Sequence, residues 1–99
     1  MAVSWENLAK VVRRDRAQIE EEAASAWLLE ELRETDREIA GYVRRYSVTS
    51  PDEIEQAIRT GTLDGHPAWE DKLAWDNLLV HRERLLAAMA AVGGKVDRR

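Results

Sequence analysis

The sequence contains no cysteine and no phenylalanine, and only five glycines and two prolines among its 99 residues. The absence of cysteine excludes a disulfide-stabilised fold and a cysteine nucleophile. The scarcity of glycine and proline excludes collagen-like and low-complexity chains. Hydrophobic residues make up 44% of the chain and charged residues 34%, a composition rich in helix formers. We therefore predict one small all-α domain.

A strong charge of either sign is also missing. The net charge is −4, shared evenly between the two halves, which disfavours a dedicated nucleic-acid module. No apolar run approaches the roughly 20 residues that a membrane span needs. Residues 1–8 lack the basic start and apolar run of a signal peptide, so we expect a cytoplasmic protein that does not enter membranes. No residue pattern indicates a cofactor.

Apolar residues at helical spacing predict one long helix over about residues 4–46, beginning after the N-cap candidate Ser4. The series of apolar residues is interrupted at Asp15, and a bend near Asp15 or Ser25 is an alternative to a continuous helix. The recurring positions are Trp5, Leu8, Val12, Ile19, Ala26 and Leu29, followed by Leu28, Leu32, Ile39, Tyr42, Val43 and Tyr46.

Two further helices follow. Ser50 as N-cap, Pro51 at the first helical position and Glu53 in a capping box predict a short helix that ends at Gly61. Pro67 opens a third helix that we expect to end at Gly93-Gly94. The sequence thus predicts a helical-hairpin domain over 1–94 and a disordered tail over 95–99.

The helix lengths differ in a way that predicts a partner. At a rise of about 1.5 Å per residue, the third helix would return along the first only to about Ile19. The apolar residues before that point would stay exposed, so we expect a second chain to cover them. A homodimer forming a four-helix bundle is the simplest solution. The alternatives are a first helix that breaks near Asp15 and folds back, or a docking site for another protein.

The predicted partner-binding surface lies in the uncovered N-terminal part. Trp5 is the candidate anchor, because tryptophan is enriched in binding hot spots. The other tryptophans, Trp27, Trp69 and Trp75, are predicted to face the core. The full set of partner-binding candidates is an apolar group and a basic rim: Trp5, Leu8, Val11, Val12, Arg13, Arg14 and Arg16.

Catalytic and metal-binding signatures are weak, so we predict a non-enzymatic protein with no catalytic or metal-binding residues. An alternative is a metal-binding helical-bundle enzyme, for which Asp64, His66 and Glu70 are the one cluster of suitable ligand types. A second alternative is a nucleic-acid-associated regulator that uses the basic residues near position 13.

The region around the predicted turn resembles small prokaryotic coiled-coil proteins described as antitoxin-like. The resemblance covers about thirty residues: Tyr46-Ser47-Val48-Thr49-Ser50-Pro51-Asp52-Glu53-Ile54, Gly61-Thr62-Leu63, Trp69-Glu70-Asp71 and Trp75. It implies a non-enzymatic role in binding a protein partner such as a toxin. It transfers no functional residues to this chain.

Overall fold

The computed structural model describes residues 4–12 and 15–96, and this part of the chain contains helices and no strands. The helices are α1 (Trp5–Val12), α2 (Arg16–Tyr46), α3 (Pro51–Arg59) and α4 (Gly65–Val96). The predicted all-α class and the hairpin with a short connecting helix are confirmed.

Helices α2 and α4 form the hairpin and run antiparallel. Near the turn, Arg45 and Tyr46 both bind the Asp71 carboxylate, Arg45 at 2.9 Å. Further along, the Arg82 guanidinium donates to Asp36 at 2.7 Å. At the far end, Gly93 lies beside residues 18–25. The returning helix therefore ends close to the point predicted from the helix lengths.

The first helix is not continuous, so the predicted helix over 4–46 is wrong and the break near Asp15 is correct. Residues 13–14 lie outside the described part, and Asp15 has an extended conformation before α2 begins. The backbone N–H of Asp15 donates to the side chain of Gln18 at 3.3 Å, which satisfies one donor at the new helix start. Helix α1 packs against α2.

The segment between α2 and α4 contains two residues in the left-handed backbone conformation, and helix α3 within it begins with a proline. Ser47 ends α2 at φ 56°, and Gly61 follows α3 at φ 79°. Pro51 occupies the first position of α3 as predicted. The predicted capping box differs, since the Ser50 side chain makes no capping hydrogen bond. Instead, Thr49 donates to the Glu53 carboxylate from both its backbone N–H and its hydroxyl.

Helix α4 runs further than the glycines suggested. It passes through Gly93-Gly94 to Val96, so the predicted end at Gly93-Gly94 is wrong. A helix tolerates interior glycine at a cost of about 1 kcal/mol per residue relative to alanine, so the two glycines lower the stability of this end of α4. Residues 97–99 of the predicted tail lie outside the described part, and the division into 1–94 and 95–99 stays a prediction.

The best-buried core lies at the turn of the hairpin. Ile54 from α3 packs with Ala68 and Trp75 from α4, and each is at most 2% exposed. Residues from α2 and the loops close this cluster, and the Tyr42 ring stacks on Trp75 with centroids 6.1 Å apart. Burial of Trp75 confirms its predicted core position.

The other two tryptophans predicted to face the core do not. Trp27 is 60% exposed on α2, and Trp69 is 40% exposed on α4, where the Lys72 ammonium lies 5.2 Å from its ring centroid. Both predictions are wrong, because within residues 4–12 and 15–96 no further long helix covers these sides of the hairpin. The molecule measures 62 × 35 × 16 Å and is about one helix layer thick away from α3.

Candidate interaction surfaces

The predicted N-terminal surface is partly present in α1. Trp5 is half-buried and Leu8 is 39% exposed. Val11 and Val12 lie within the helix, and Arg13 and Arg14 fall outside the described residues. Among the side chains that the structure describes on this helix, the predicted set thus contributes the exposed Leu8 and the half-buried Trp5.

Arg16, predicted for the basic rim, is engaged by two carboxylates. Its guanidinium donates to Glu20 at 2.8 Å and lies 3.7 Å from Glu6 of α1. The hydrogen bond to Glu20 is the main cause that raises the pKa of Arg16. The pair with Glu6 links α1 to α2 across the break, and solvent screening keeps such exposed pairs weak.

A second apolar surface lies across the hairpin itself. It consists of Leu29 and Leu32 from α2 with Leu79 and Leu86 from α4, and we call it the open face. Leu29, Leu79 and Leu86 are 38 to 40% exposed, and Leu32 is half-buried. Two neighbouring helices contribute side by side, so the open face spans both helices and the line of contact between them.

The open face continues the surface on which α3 sits. Lys72, which forms an ion pair with Glu55 of α3 at 3.3 Å, is followed at seven-residue steps by Leu79 and Leu86. On α2, Leu32 precedes Ile39 by the same step, and Ile39 packs against the Ile54 cluster. Positions seven apart share one side of a helix. Helix α3 thus covers the turn end of this side and leaves the open face uncovered.

One ion pair crosses the open face. Arg82 of α4 and Asp36 of α2 are joined at 2.7 Å, with side chains 39% and 45% exposed. The hydrogen bond to Asp36 is the main cause that raises the pKa of Arg82. This pair holds the two helices in register and places a polar group among the leucines.

A hollow of about 430 Å³ lies at the end of the hairpin away from α3, and we call it the end hollow. Gly93 of α4 forms part of its lining, opposite α2 residues. The α2 residues that line it are Gln18, Glu21, Glu22 and Ser25. Glycine contributes no side chain there, which leaves the space between the two helices unfilled.

A third exposed apolar group follows the outer side of α4. Trp69, Leu73 and Val80 are 40%, 44% and 48% exposed and share one side of the helix, which we call the outer stripe. This side points away from α2, because Trp75, Leu85 and Ala68 on the other side are buried. A stripe on one convex helix offers less contact area than a surface that spans two helices.

The total surface is large for the chain length. The protein exposes 7391 Å², whereas a compact monomer of 11.3 kDa exposes about 5,700 Å². The surplus exceeds the roughly 800 Å² that each partner buries in a standard interface. The radius of gyration is 19.6 Å, compared with about 13 Å for a compact domain of this length.

The alternative ligand cluster from the sequence is only partly assembled. His66 Nδ1 lies 2.9 Å from Glu70 Oε2, and the pKa of Glu70 is lowered, first by its backbone hydrogen bond and then by His66. Asp64 does not join them. Within 4–12 and 15–96, no three histidine or carboxylate side chains come together in a group that could hold a metal ion.

Sequence reasoning missed the open face because helical spacing identifies apolar positions without showing which of them a neighbouring helix covers. The signal was present as two heptad series on α4: Trp75, Arg82 and Met89 face α2, while Lys72, Leu79 and Leu86 run beside them. None of the helices in the described ranges is long and apolar enough to cross a membrane.

Comparison with known proteins gave one finding. The model of the uncharacterized protein MJ0235 family matches residues 1–96. Searches of the curated proteins and of the solved structures gave no match. Since the match extends over nearly the entire chain, the protein belongs to the MJ0235 family.

Proposed function

We propose that this protein is a small, non-enzymatic interaction protein that works through helix–helix assembly, and that its first partner is a second copy of itself. The observation that carries the proposal is the surplus of exposed surface, which includes leucines at the open face. Two hairpins packed together form a four-helix bundle, in which such leucines are buried.

The thin core supports the same proposal. Among the described residues, five apolar side chains besides Pro51 are buried: Leu28, Ile54, Ala68, Trp75 and Leu85. Each contributes on the order of 1.5 to 3 kcal/mol at most, and ordering the backbone of a single residue costs 1 to 2 kcal/mol. A core of this size leaves a single chain only marginally stable, and burial of the exposed leucines in a dimer would add the missing stabilisation.

The proposal is tested by sedimentation equilibrium of the full chain at micromolar concentration. We expect a particle of twice the 11.3 kDa chain mass. A thermal midpoint that rises with protein concentration is the second expected result, because dissociation couples to unfolding in a dimer. A monomer of unchanged midpoint over this range would refute self-assembly.

The resemblance around the turn suggests a further, antitoxin-like partner for the dimer. We assign this contact to the α1 surface, with Trp5 and Leu8 as the apolar centre and Arg16 on the rim. The predicted neighbours Val11, Val12, Arg13 and Arg14 complete that assignment in the sequence.

Co-expression tests this partner. The probe is a toxic ribonuclease or nucleotidyltransferase encoded beside the gene for this chain. The wild-type chain should restore growth, and the Leu8→Asp, Val12→Asp double variant should not. A Val80→Asp variant serves as control, since it adds a charge to the outer stripe. Equal rescue by all three chains, or the absence of such a neighbouring gene, would count against the antitoxin-like role.

A further inference from the structure

We infer that the second copy packs on the open face head to tail, so that α3 of each copy enters the end hollow of the other. This inference rests on the proposed self-assembly and deepens it by assigning the surface and the orientation. The occupant is a second copy, because shape, area and the continuity of the apolar surface all fit this chain.

The shape of one copy sets the orientation. At the turn, α3 adds a second layer on the side of the open face, whereas the other end has one layer and the end hollow. Two copies packed with α3 at the same end would bring α3 against α3 and hold the leucines apart. A two-fold axis perpendicular to the helices places each α3 over the thin end of the other copy.

The axial distances agree with this arrangement. Lys72, which holds α3 through Glu55, lies 21 positions from Gly93 of the end hollow, or about 32 Å along α4. A two-fold axis midway between them, near Arg82, carries the second α3 about 16 Å beyond Arg82. Gly93 and the start of α2 lie there and form the end hollow.

The face itself suits a two-fold contact. An axis near Arg82 brings Leu79 of each copy beside Leu86 of the other, because the two leucines lie on either side of it at similar distances along α4. The Arg82–Asp36 pair, which crosses the open face, then lies close to the axis with its charges already matched. Burial of a matched pair avoids leaving an isolated charge in the interface.

The outer stripe competes less well for a second copy. It lies on α4 alone, on the side turned away from α2, so two stripes would meet along a single line of contact. The open face offers two helices to two helices and produces the denser packing of a four-helix bundle. The stripe therefore provides the matched control surface.

The experiment compares neighbouring residues of similar exposure. Leu79→Asp places a carboxylate on the open face, and Val80→Asp places one on the outer stripe. We expect Leu79→Asp to raise the dimer dissociation constant at least about 30-fold, as for a hot-spot residue, and Val80→Asp to change it less than about 3-fold. Circular dichroism of both variants checks that the helices persist, and Leu86→Asp repeats the test.

The orientation is measured separately. Because the chain has no cysteine, a Gln56→Cys variant carries a single spin label on the exposed side of α3. Head-to-tail packing predicts an inter-copy distance of about 32 Å, twice the axial offset given above. Packing with α3 at the same end predicts less than about 25 Å, the width of two packed helices, and would overturn the orientation.

The outcomes separate this inference from the proposed function. A wild-type monomer removes both. A wild-type dimer that Leu79→Asp and Leu86→Asp leave intact removes the open face and keeps self-assembly. A dimer that Val80→Asp breaks as strongly as Leu79→Asp shows that the contact is not confined to the open face, and this result also overturns the inference.

Discussion

The turn end and the far end of the hairpin use the same two helices but are built differently. At the turn, α3 covers Trp75 and Ala68, and side chains from three helices close one cluster. At the far end, Gly93 faces α2 across a hollow, and Leu86 is 40% exposed. The comparison shows that nine residues of α3 are enough to turn a helix pair into a core.

Charged groups repeat the contrast. At the turn, Asp71 is shared by Arg45 and the Tyr46 hydroxyl, and Lys72 is shared by Glu55 and Asp76. At the far end, Arg16 joins Glu6 and Glu20, on an exposed surface. Shared groups fix side chains between helices, whereas exposed pairs contribute little to stability.

Tryptophan truncation should give the largest difference between the two regions. Trp75→Ala removes a buried side chain from the turn core and should lower the free energy of unfolding by about 3 to 5 kcal/mol. Trp27→Ala removes a side chain that is 60% exposed and should change it by less than about 0.5 kcal/mol. Chemical denaturation at fixed protein concentration measures both. Equal losses of unfolding free energy in the two variants would contradict the assignment of Trp75 to the buried core and Trp27 to the surface.

Replacing glycine by alanine should change the stability in opposite directions at Gly61 and Gly41. Gly61→Ala places a side chain at φ 79° and should cost about 1 to 2 kcal/mol, although no neighbouring atom obstructs the new methyl group. Gly41→Ala within α2 also meets no atom within 4 Å and should add about 1 kcal/mol of stability. Thermal denaturation of the two variants checks the signs. A gain at Gly61 would contradict the left-handed turn.

A smaller effect is expected from pH at the start of α3. Hydrogen bonds from Thr49, first from its hydroxyl and then from its backbone, lower the pKa of Glu53. The folded protein therefore releases this proton more readily than the unfolded chain does. The resulting stabilisation is present above the unfolded pKa of about 4.3 and is lost as the pH falls through the lower folded pKa.

Glu53→Gln is the variant that isolates this effect. It should flatten the acid limb of the stability curve, measured by denaturation between about pH 2 and pH 6. An acid limb that is the same for wild type and Glu53→Gln would contradict the cap at Thr49.

The sequence predicted helices and turns where local chemistry decides them. Pro51 at the start of α3 and Gly61 after it follow from backbone geometry alone, and both predictions are confirmed. The break at Asp15 stayed open because an interrupted apolar series fits a bent helix and two helices equally well. Exposure could not be predicted in the same way, since Trp27 is apolar at a helical position yet its side chain is 60% exposed.

The open face also could not be predicted from the sequence, because it depends on which leucines are exposed. Leu79 and Leu85 follow the same hydrophobic rule in the sequence, but one is 38% exposed and the other 5%. What separates them is which side of α4 packs on α2, and tertiary packing decides this. The predicted site on α1 was located by helix lengths, a global quantity. The returning helix ends beside residues 18–25, close to the point that those lengths predict, and the site itself stays a prediction.

The antiparallel register also orders the folding reaction. Tyr46 and Asp71 meet across 25 positions of sequence, and Asp36 and Arg82 across 46. Each contact formed near the turn shortens the effective loop that the next one must close, so loop entropy favours a zipper that starts at α3. The hairpin therefore closes from α3 outward and frays in the reverse order. The residues that line the end hollow fold last.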